Sequence, residues 1–185
     1  NSTTLTISNT APTMSSANIT SDDTQNRTDG NLTGSFSFTD SDSDTITLNE
    51  TRWYNNSIEI TSLANLTFVG SGNTTKNENW TFAVRVYDGA DWSGWSNSSN
   101  LTITNSIPSV PTQNNPSNNS TLTSDNTLIN CTGSTDADSD SVTYHYFGDS
   151  TDGSTSLGAN DVSTTFNWTG LSDDTTYYWK CLAGD

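Results

Sequence analysis

The chain has 185 residues and carries 5 Lys and Arg against 21 Asp and Glu, a formal net charge of −16. So few basic residues exclude a nucleic-acid interface, which needs a cationic footprint, and an anionic membrane surface would repel the chain. The polar bias is not that of a disordered segment, because 6 Trp, 6 Tyr and 6 Phe supply enough apolar area for small, aromatic-rich cores.

Residues 1–12 read NSTTLTISNTAP, and residues 97–108 read NSSNLTITNSIP, so the motif returns at an offset of 96. TDSDSDTIT at 39–47 returns as TDADSDSVT at 135–143 at the same offset, and Asp88-Gly89 is matched by Gly184-Asp185. A period of this length is that of a sandwich-sized module. It divides the chain into a terminal strand at 1–12, a first sandwich at 13–107, a Pro-rich linker at 108–116 and a second sandwich at 117–185. The second sandwich is expected to lack its last strand. The terminal strand belongs to a preceding repeat, or is donated to another molecule. The chain is thus read as a piece of something longer, with targeting and anchoring parts elsewhere.

In the first sandwich, β-branched and aromatic runs between polar turns predict strands at 35–39, 46–54, 67–69, 80–87 and 97–104. Alternation in the 80–87 run places Phe82, Val84 and Val86 inward and Arg85 and Tyr87 outward. No helical period competes. The fold class predicted is all-β, as tandem antiparallel β-sandwiches. Both sandwiches are acidic: 8 Asp and 3 Glu meet 4 Lys and Arg in the first, and 10 Asp meet Lys180 in the second.

Two turns concentrate acid, Asp40-Ser-Asp42-Ser-Asp44 and Asp136-Ala-Asp138-Ser-Asp140. Ca²⁺ takes six to eight oxygen ligands, and closely spaced carboxylates supply them. Sandwich connectivity would add Asp88 and Asp91 to the first turn and Asp185 to the second. The alternative is a solvated turn, since Asp and Ser are good turn formers. Calcium is the one cofactor considered besides N-linked glycans. Fifteen Asn-x-Ser/Thr sequons start at Asn1, Asn18, Asn26, Asn31, Asn49, Asn55, Asn65, Asn73, Asn79, Asn97, Asn100, Asn118, Asn119, Asn130 and Asn167. Such density favours glycosylation at several of them in a secreted chain.

Only two cysteines occur, Cys131 and Cys181. With one histidine, His145, they cannot complete a four-ligand zinc site, which leaves a disulfide or a buried free pair. No metal-protease, phosphate-loop or dinucleotide motif is present. Glu50, Glu59 and Glu78 have no pattern that singles them out as paired catalytic acids. Tyr54, Tyr87, Trp92, Trp95, Tyr144, Tyr146 and Tyr178, read as exposed aromatics, form either a sugar-stacking face or cross-strand packing.

The acidic turns, the segments RWYNNSIEI, FAVRVYDGADW and TTYYWKCLAGD, and the motif LTITNSIP resemble tandem immunoglobulin-like, fibronectin type III and polycystic-kidney-disease-type repeats of archaeal and bacterial surface proteins. The resemblance implies a non-catalytic, extracellular structural role in a filament, S-layer or stalk, with an adhesin or carbohydrate-binding module as the alternative. Partners would be copies of itself, flanking repeats or a glycan ligand, without insertion into a membrane. It also implies a disulfide between the second and sixth strands, here Cys131 and Cys181. The first sandwich has Ser35 and Val84 at those places and would rely on Phe36, Phe38, Trp53 and Phe82. Trp92-Ser-Gly-Trp95-Ser resembles the Trp-Ser-x-Trp-Ser motif of cytokine-receptor domains, which implies a cation–π ladder with Arg52 and Arg85.

Overall fold

The computed structural model describes residues 2–185, apart from the side chains of 159–161. The sequon at Asn1 therefore lies outside the described residues. The chain forms two units, Asn1–Asn105 and Ser106–Asp185.

The first unit contains β1 (Thr13–Ser21), β2 (Leu32–Thr39), β3 (Leu48–Asn55), β4 (Ile58–Glu59), β5 (Phe68–Val69), β6 (Asn79–Tyr87), β7 (Ser96–Asn97) and β8 (Leu101–Thr102). One sheet has the order β1-β2-β5, the other β4-β3-β6-β7, with β8 also on β6. All these pairings are antiparallel. The alternation read in the sequence decides which side of β6 is covered: Trp80, Phe82, Val84 and Val86 are buried, while Arg85 and Tyr87 are half-buried on the other face.

Trp53 on β3 is the centre of this core. Its ring lies 6.2 Å from Trp80, edge-on, and 5.0 Å from Phe82. Its indole N–H donates to the Leu66 carbonyl at 2.9 Å, so the one polar atom it buries is satisfied. Gly34 on β2 lies against Phe82; a Cβ there would stand 2.5 Å from the ring. Leu101 and Ile103 close the core from the last strand.

Several sequence expectations need correction here. Ser35 is exposed and Phe38 is 39% exposed, so neither is in the buried core. Alternation along β2 turns Leu32 and Gly34 inward and Ser35 outward; Phe38 shares the inward parity but lies near the end of the strand, opposite Met14, where cover is lost. The run at 97–104 is not one strand. Ser98 interrupts it, and its Oγ takes the Phe82 N–H at 3.0 Å while its own N–H donates to the Phe82 carbonyl at 2.8 Å. The first strand, β1, has no motif that marks it.

The second unit contains β9 (Thr112–Asn115), β10 (Asn126–Thr132), β11 (Thr143–Asp149), β12 (Ser156–Asp161), β13 (Thr165–Thr169) and β14 (Tyr178–Gly184). Its sheets are β13-β10-β9 and β12-β11-β14. The order repeats that of the first unit, strand for strand, up to β14. The inward pair Thr51↔Val84 of the first unit has Tyr146↔Cys181 as its counterpart. The buried cluster is smaller: Ile129, Cys131, Tyr144, Tyr146 and Cys181, with Phe166, Trp168 and Trp179 partly buried against it. Tyr144 and Tyr146 are thus not on an exposed aromatic face as expected, because alternation along β11 turns both inward.

The segment expected as a linker, 108–116, is part of this sandwich. Ser109 N–H donates to the Thr135 carbonyl at 2.9 Å, and Thr112–Asn115 pairs with β10 as its first strand. Pro111 and Pro116 flank this edge strand and do not interrupt it.

Candidate functional site

Two features carry chemistry: the acidic turns and the outer face of the β4-β3-β6-β7 sheet. In the first acidic turn, Asp40 Oδ1 accepts the N–H groups of Asp42 and Asp44 at 2.8 and 3.1 Å. In the second, Asp136 Oδ1 accepts those of Asp138 and Asp140 at 2.8 and 3.0 Å. Ser43 and Ser139 both take φ +63° to close the turns. The segment entering each sandwich docks alike: Thr10 N–H donates to Asp42 Oδ2 at 2.6 Å, and Ser106 N–H donates to Asp138 Oδ2 at 2.7 Å.

Ligand oxygens of Asp40, Asp42 and Asp44 lie within 4.8 Å of one another, as do those of Asp136, Asp140 and Asp185. That spacing suits one cation with Ca–O distances of about 2.3–2.6 Å. Asp40 Oδ2 and Asp136 Oδ2 are buried and have no hydrogen-bond partner. The residues therefore fit calcium. Asp88 and Asp91, expected with the first group, are not part of it. They share the side-chain amide of Asn9, whose Nδ2 donates to both at 3.0 and 2.9 Å. Asp88 also accepts the N–H groups of Ala90 and Asp91, and these bonds, with Asn9, hold its carboxyl below the usual range. Asp138 is outside the second group, and its Oδ2 accepts the Ser106 N–H.

On the outer sheet face, Arg52 sits 4.4 Å over Trp95, and Arg85 sits 4.5 Å over Trp92 and 4.9 Å over Trp95. Tyr87 extends the stack, 5.0 Å from Trp92. Glu50 pairs with Arg85 at 2.6 Å and Glu59 with Arg52 at 3.4 Å. The intervening serine anchors the motif: Ser93 N–H donates to the Val86 carbonyl at 2.8 Å, and Ser93 Oγ accepts the Val86 N–H at 3.0 Å. Glu78, the third of the carboxylates considered as acids, accepts from the Trp80 indole at 3.0 Å and the Thr75 N–H at 2.8 Å. His145 lies on β11 opposite Leu182.

The sequons divide by environment. Asn31 and Asn130 are structural: Asn31 bonds Asp22 and the Ser71 N–H, and Asn130 bonds the Thr164 carbonyl and Asn114. Asn26 and Asn55 are half-buried. Asn18, Asn49, Asn65, Asn73, Asn79, Asn97, Asn100, Asn118, Asn119 and Asn167 are exposed. Cys131 on β10 and Cys181 on β14 form a disulfide that ties the two sheets of the second unit together.

The Asp149 cradle was not legible beforehand, although Asp-Ser-Thr-Asp-Gly at 149–153 signals a turn. Its carboxylate accepts N–H groups from Thr151, Asp152, Gly153, Ser154 and Thr155 at 2.7–3.0 Å. These bonds hold its carboxyl far below the usual range.

The two units are antiparallel β-sandwiches with the strand arrangement of the immunoglobulin and fibronectin type III class. No family model matches the chain, and no curated protein matches it. Among solved structures it is similar to the crystal structure of the FN1–FN3 domains of chicken CNTN1, at 12% sequence identity and a TM-score of 0.35. The match covers 95% of this chain and 61% of that one, so this chain spans less than two thirds of its length.

Proposed function

We propose that this chain is a non-catalytic structural repeat of a glycosylated extracellular surface protein, built into a filament, surface lattice or stalk. The observation that carries the reading is the disulfide between buried Cys131 and Cys181. It clamps the two sheets of the unit with the smaller core, and such bonds persist in oxidising compartments. The polar chemistry supports the same reading. Asp88, Asp149, Glu50, Glu59 and Glu78 are all engaged within the chain, which leaves no poised acid–base pair among them.

N-linked glycans on exposed sequons such as Asn49, Asn97, Asn118 and Asn167 would hydrate a surface poor in charge. The acidic turns would each hold one Ca²⁺, with Asp40, Asp42 and Asp44 as ligands in the first unit and Asp136, Asp140 and Asp185 in the second. The cation would neutralise the crowded carboxylates and satisfy the orphaned oxygens. The adhesin alternative finds less support in the aromatic ladder, because Arg52 and Arg85 occupy the ring faces that a sugar would need.

Mass spectrometry of the native protein from the cell-envelope fraction tests this. The reading expects an oxidised Cys131–Cys181 pair and glycosylated Asn peptides. A reduced pair in a cytoplasmic fraction would reject it. Calcium has its own test: at ten millimolar, a site with a Kd of about 0.1 mM, typical of extracellular modules, stabilises by about 2.7 kcal/mol. Thermal melting unchanged by calcium would remove it.

A further inference from the structure

Two sequons of the first unit face each other across one pair of strands. Asn79-Trp80-Thr81 opens β6 and Asn100-Leu101-Thr102 leads into β8, with Asn79 opposite Thr102 and Trp80 opposite Leu101. Their polar side chains interlock: Thr102 Oγ1 donates to Asn79 Oδ1 at 2.7 Å, and Thr81 Oγ1 donates to Asn100 Oδ1 at 2.7 Å. An amide is planar, so holding its oxygen also sets the direction of its nitrogen. Asn100 Nδ2, the atom that takes an N-glycan, makes no hydrogen bond among the described residues. Asn79 and Asn100 are diagonal neighbours, about 7–8 Å apart, too close for two bulky oligosaccharides side by side.

Of the two, Asn100 opens onto a groove. Asn100, Leu101 and Thr102 line it from β8, and Asn18, Ile19 and Thr20 line it from β1. Asn79 is not among its lining residues. Its volume, about 440 Å³, is within the range of small-molecule sites. The amides and hydroxyls suit the hydroxyl groups of a neutral sugar, and Ile19 and Leu101 suit its C–H faces. Among the described residues the one carboxylate of the lining, Asp23, is engaged by the Gln25 and Arg27 N–H groups and by the Arg27 guanidinium. Among these residues β1 pairs only with β2 and β8 only with β6, so the groove runs between two sheet edges.

We infer that Asn100 carries an N-linked oligosaccharide whose first sugars lie in this groove against β1, and that Asn79 stays bare. The inference rests on the glycosylated role proposed above and names one attachment site and the surface its glycan covers. Attachment joins Asn100 Nδ2 to the anomeric carbon of a lipid-phosphate-linked oligosaccharide. The anomeric carbon–oxygen bond breaks, the lipid phosphate leaves with the electron pair, and one amide proton is released. Asn100 Oδ1 takes no part and keeps its bond from Thr81. A sugar seated in the groove covers both sheet edges, and a covered edge is closed to the strand of another chain.

The test uses the full chain made in its own host, followed by glycopeptide mapping, intact mass and two-dimensional NMR. Asn100→Gln and Thr102→Val each destroy the Asn100 sequon, one at the amide and one at the hydroxyl. Both are expected to lose the mass of one glycan, while Asn79→Gln loses none and Thr102→Ser, which keeps the sequon, retains it. Between wild type and either glycan-free variant, amide resonances of residues 18–24, across the groove, are expected to shift. Through-space contacts between sugar protons and the Ile19 methyl groups are expected in the wild type alone. A bare Asn100 in a chain glycosylated elsewhere, a glycan on Asn79, or shifts confined to residues 99–102 would each overturn the inference and leave the structural role standing. A chain with no glycan at any sequon would overturn this inference and the glycosylated role together.

Discussion

The disulfide of the second unit makes a prediction whose size follows from the structure. Cys131→Ala/Cys181→Ala removes a bond between residues separated by 50 positions. Loop-closure entropy for a loop of that length is about 4 kcal/mol at 25 °C. The loss falls on a unit whose buried cluster has five members, two of them these cysteines. A unit of about 80 residues unfolds with an entropy of about 170 cal/mol/K, so the transition should fall by roughly 24 °C. The first unit has its own core, with Trp53, Trp80 and Phe82, and no cysteine. Scanning calorimetry of wild type and variant should therefore show one transition displaced and the other unmoved. Equal displacement of both transitions would refute the independence of the units. A shift below about 5 °C would refute the entropic account, because the reduced chain would then already be constrained.

Gly34→Ala sets a Cβ 2.5 Å from the buried Phe82 ring, so urea unfolding of the first unit should lose about 1–3 kcal/mol, with partial rescue by Phe82→Leu. Trp95→Ala removes the ring shared by Arg52 and Arg85 and should cost the first unit about 1–2 kcal/mol in the same assay, more than Trp95→Phe. Asp149→Asn tests the carboxylate cradle through pH. Because folding lowers this carboxyl below its ordinary 3.8, the stability it provides is complete above that value and fades as pH falls toward the much lower folded value. The stability gap between wild type and variant should be constant above about pH 5 and shrink below about pH 4. A gap unchanged down to pH 2 would exclude the charge as its source.

The sandwich class could be read from local signals. Alternation in Trp80–Tyr87 identified the buried face of β6 without knowledge of its neighbours, because side chains on a strand alternate with period two wherever the strand sits. The pairing of Arg52 and Arg85 with Trp92 and Trp95 was legible only through resemblance to a known motif. Other positions were misjudged. Ser35 was assigned a core place, yet one residue along a strand is the difference between the two faces. Phe38 was assigned a core role and has the inward parity, but it stands near the end of β2, and where a strand loses its cover is invisible in sequence. The 108–116 segment looked like a stiff linker because its prolines are obvious and its pairing with β10 is not.

From the sequence alone came the 96-residue period, the all-β class, the acidity shared by both halves and the identity of the two cysteines. These are properties of composition and of neighbours along the chain. The tertiary structure alone decided that Asn9 bonds Asp88 and Asp91 and that Asp149 gathers five backbone N–H groups. Those outcomes depend on which backbone groups find partners across the fold. A backbone donor or acceptor has the same chemistry at every residue, so only its position in space says whether it is satisfied.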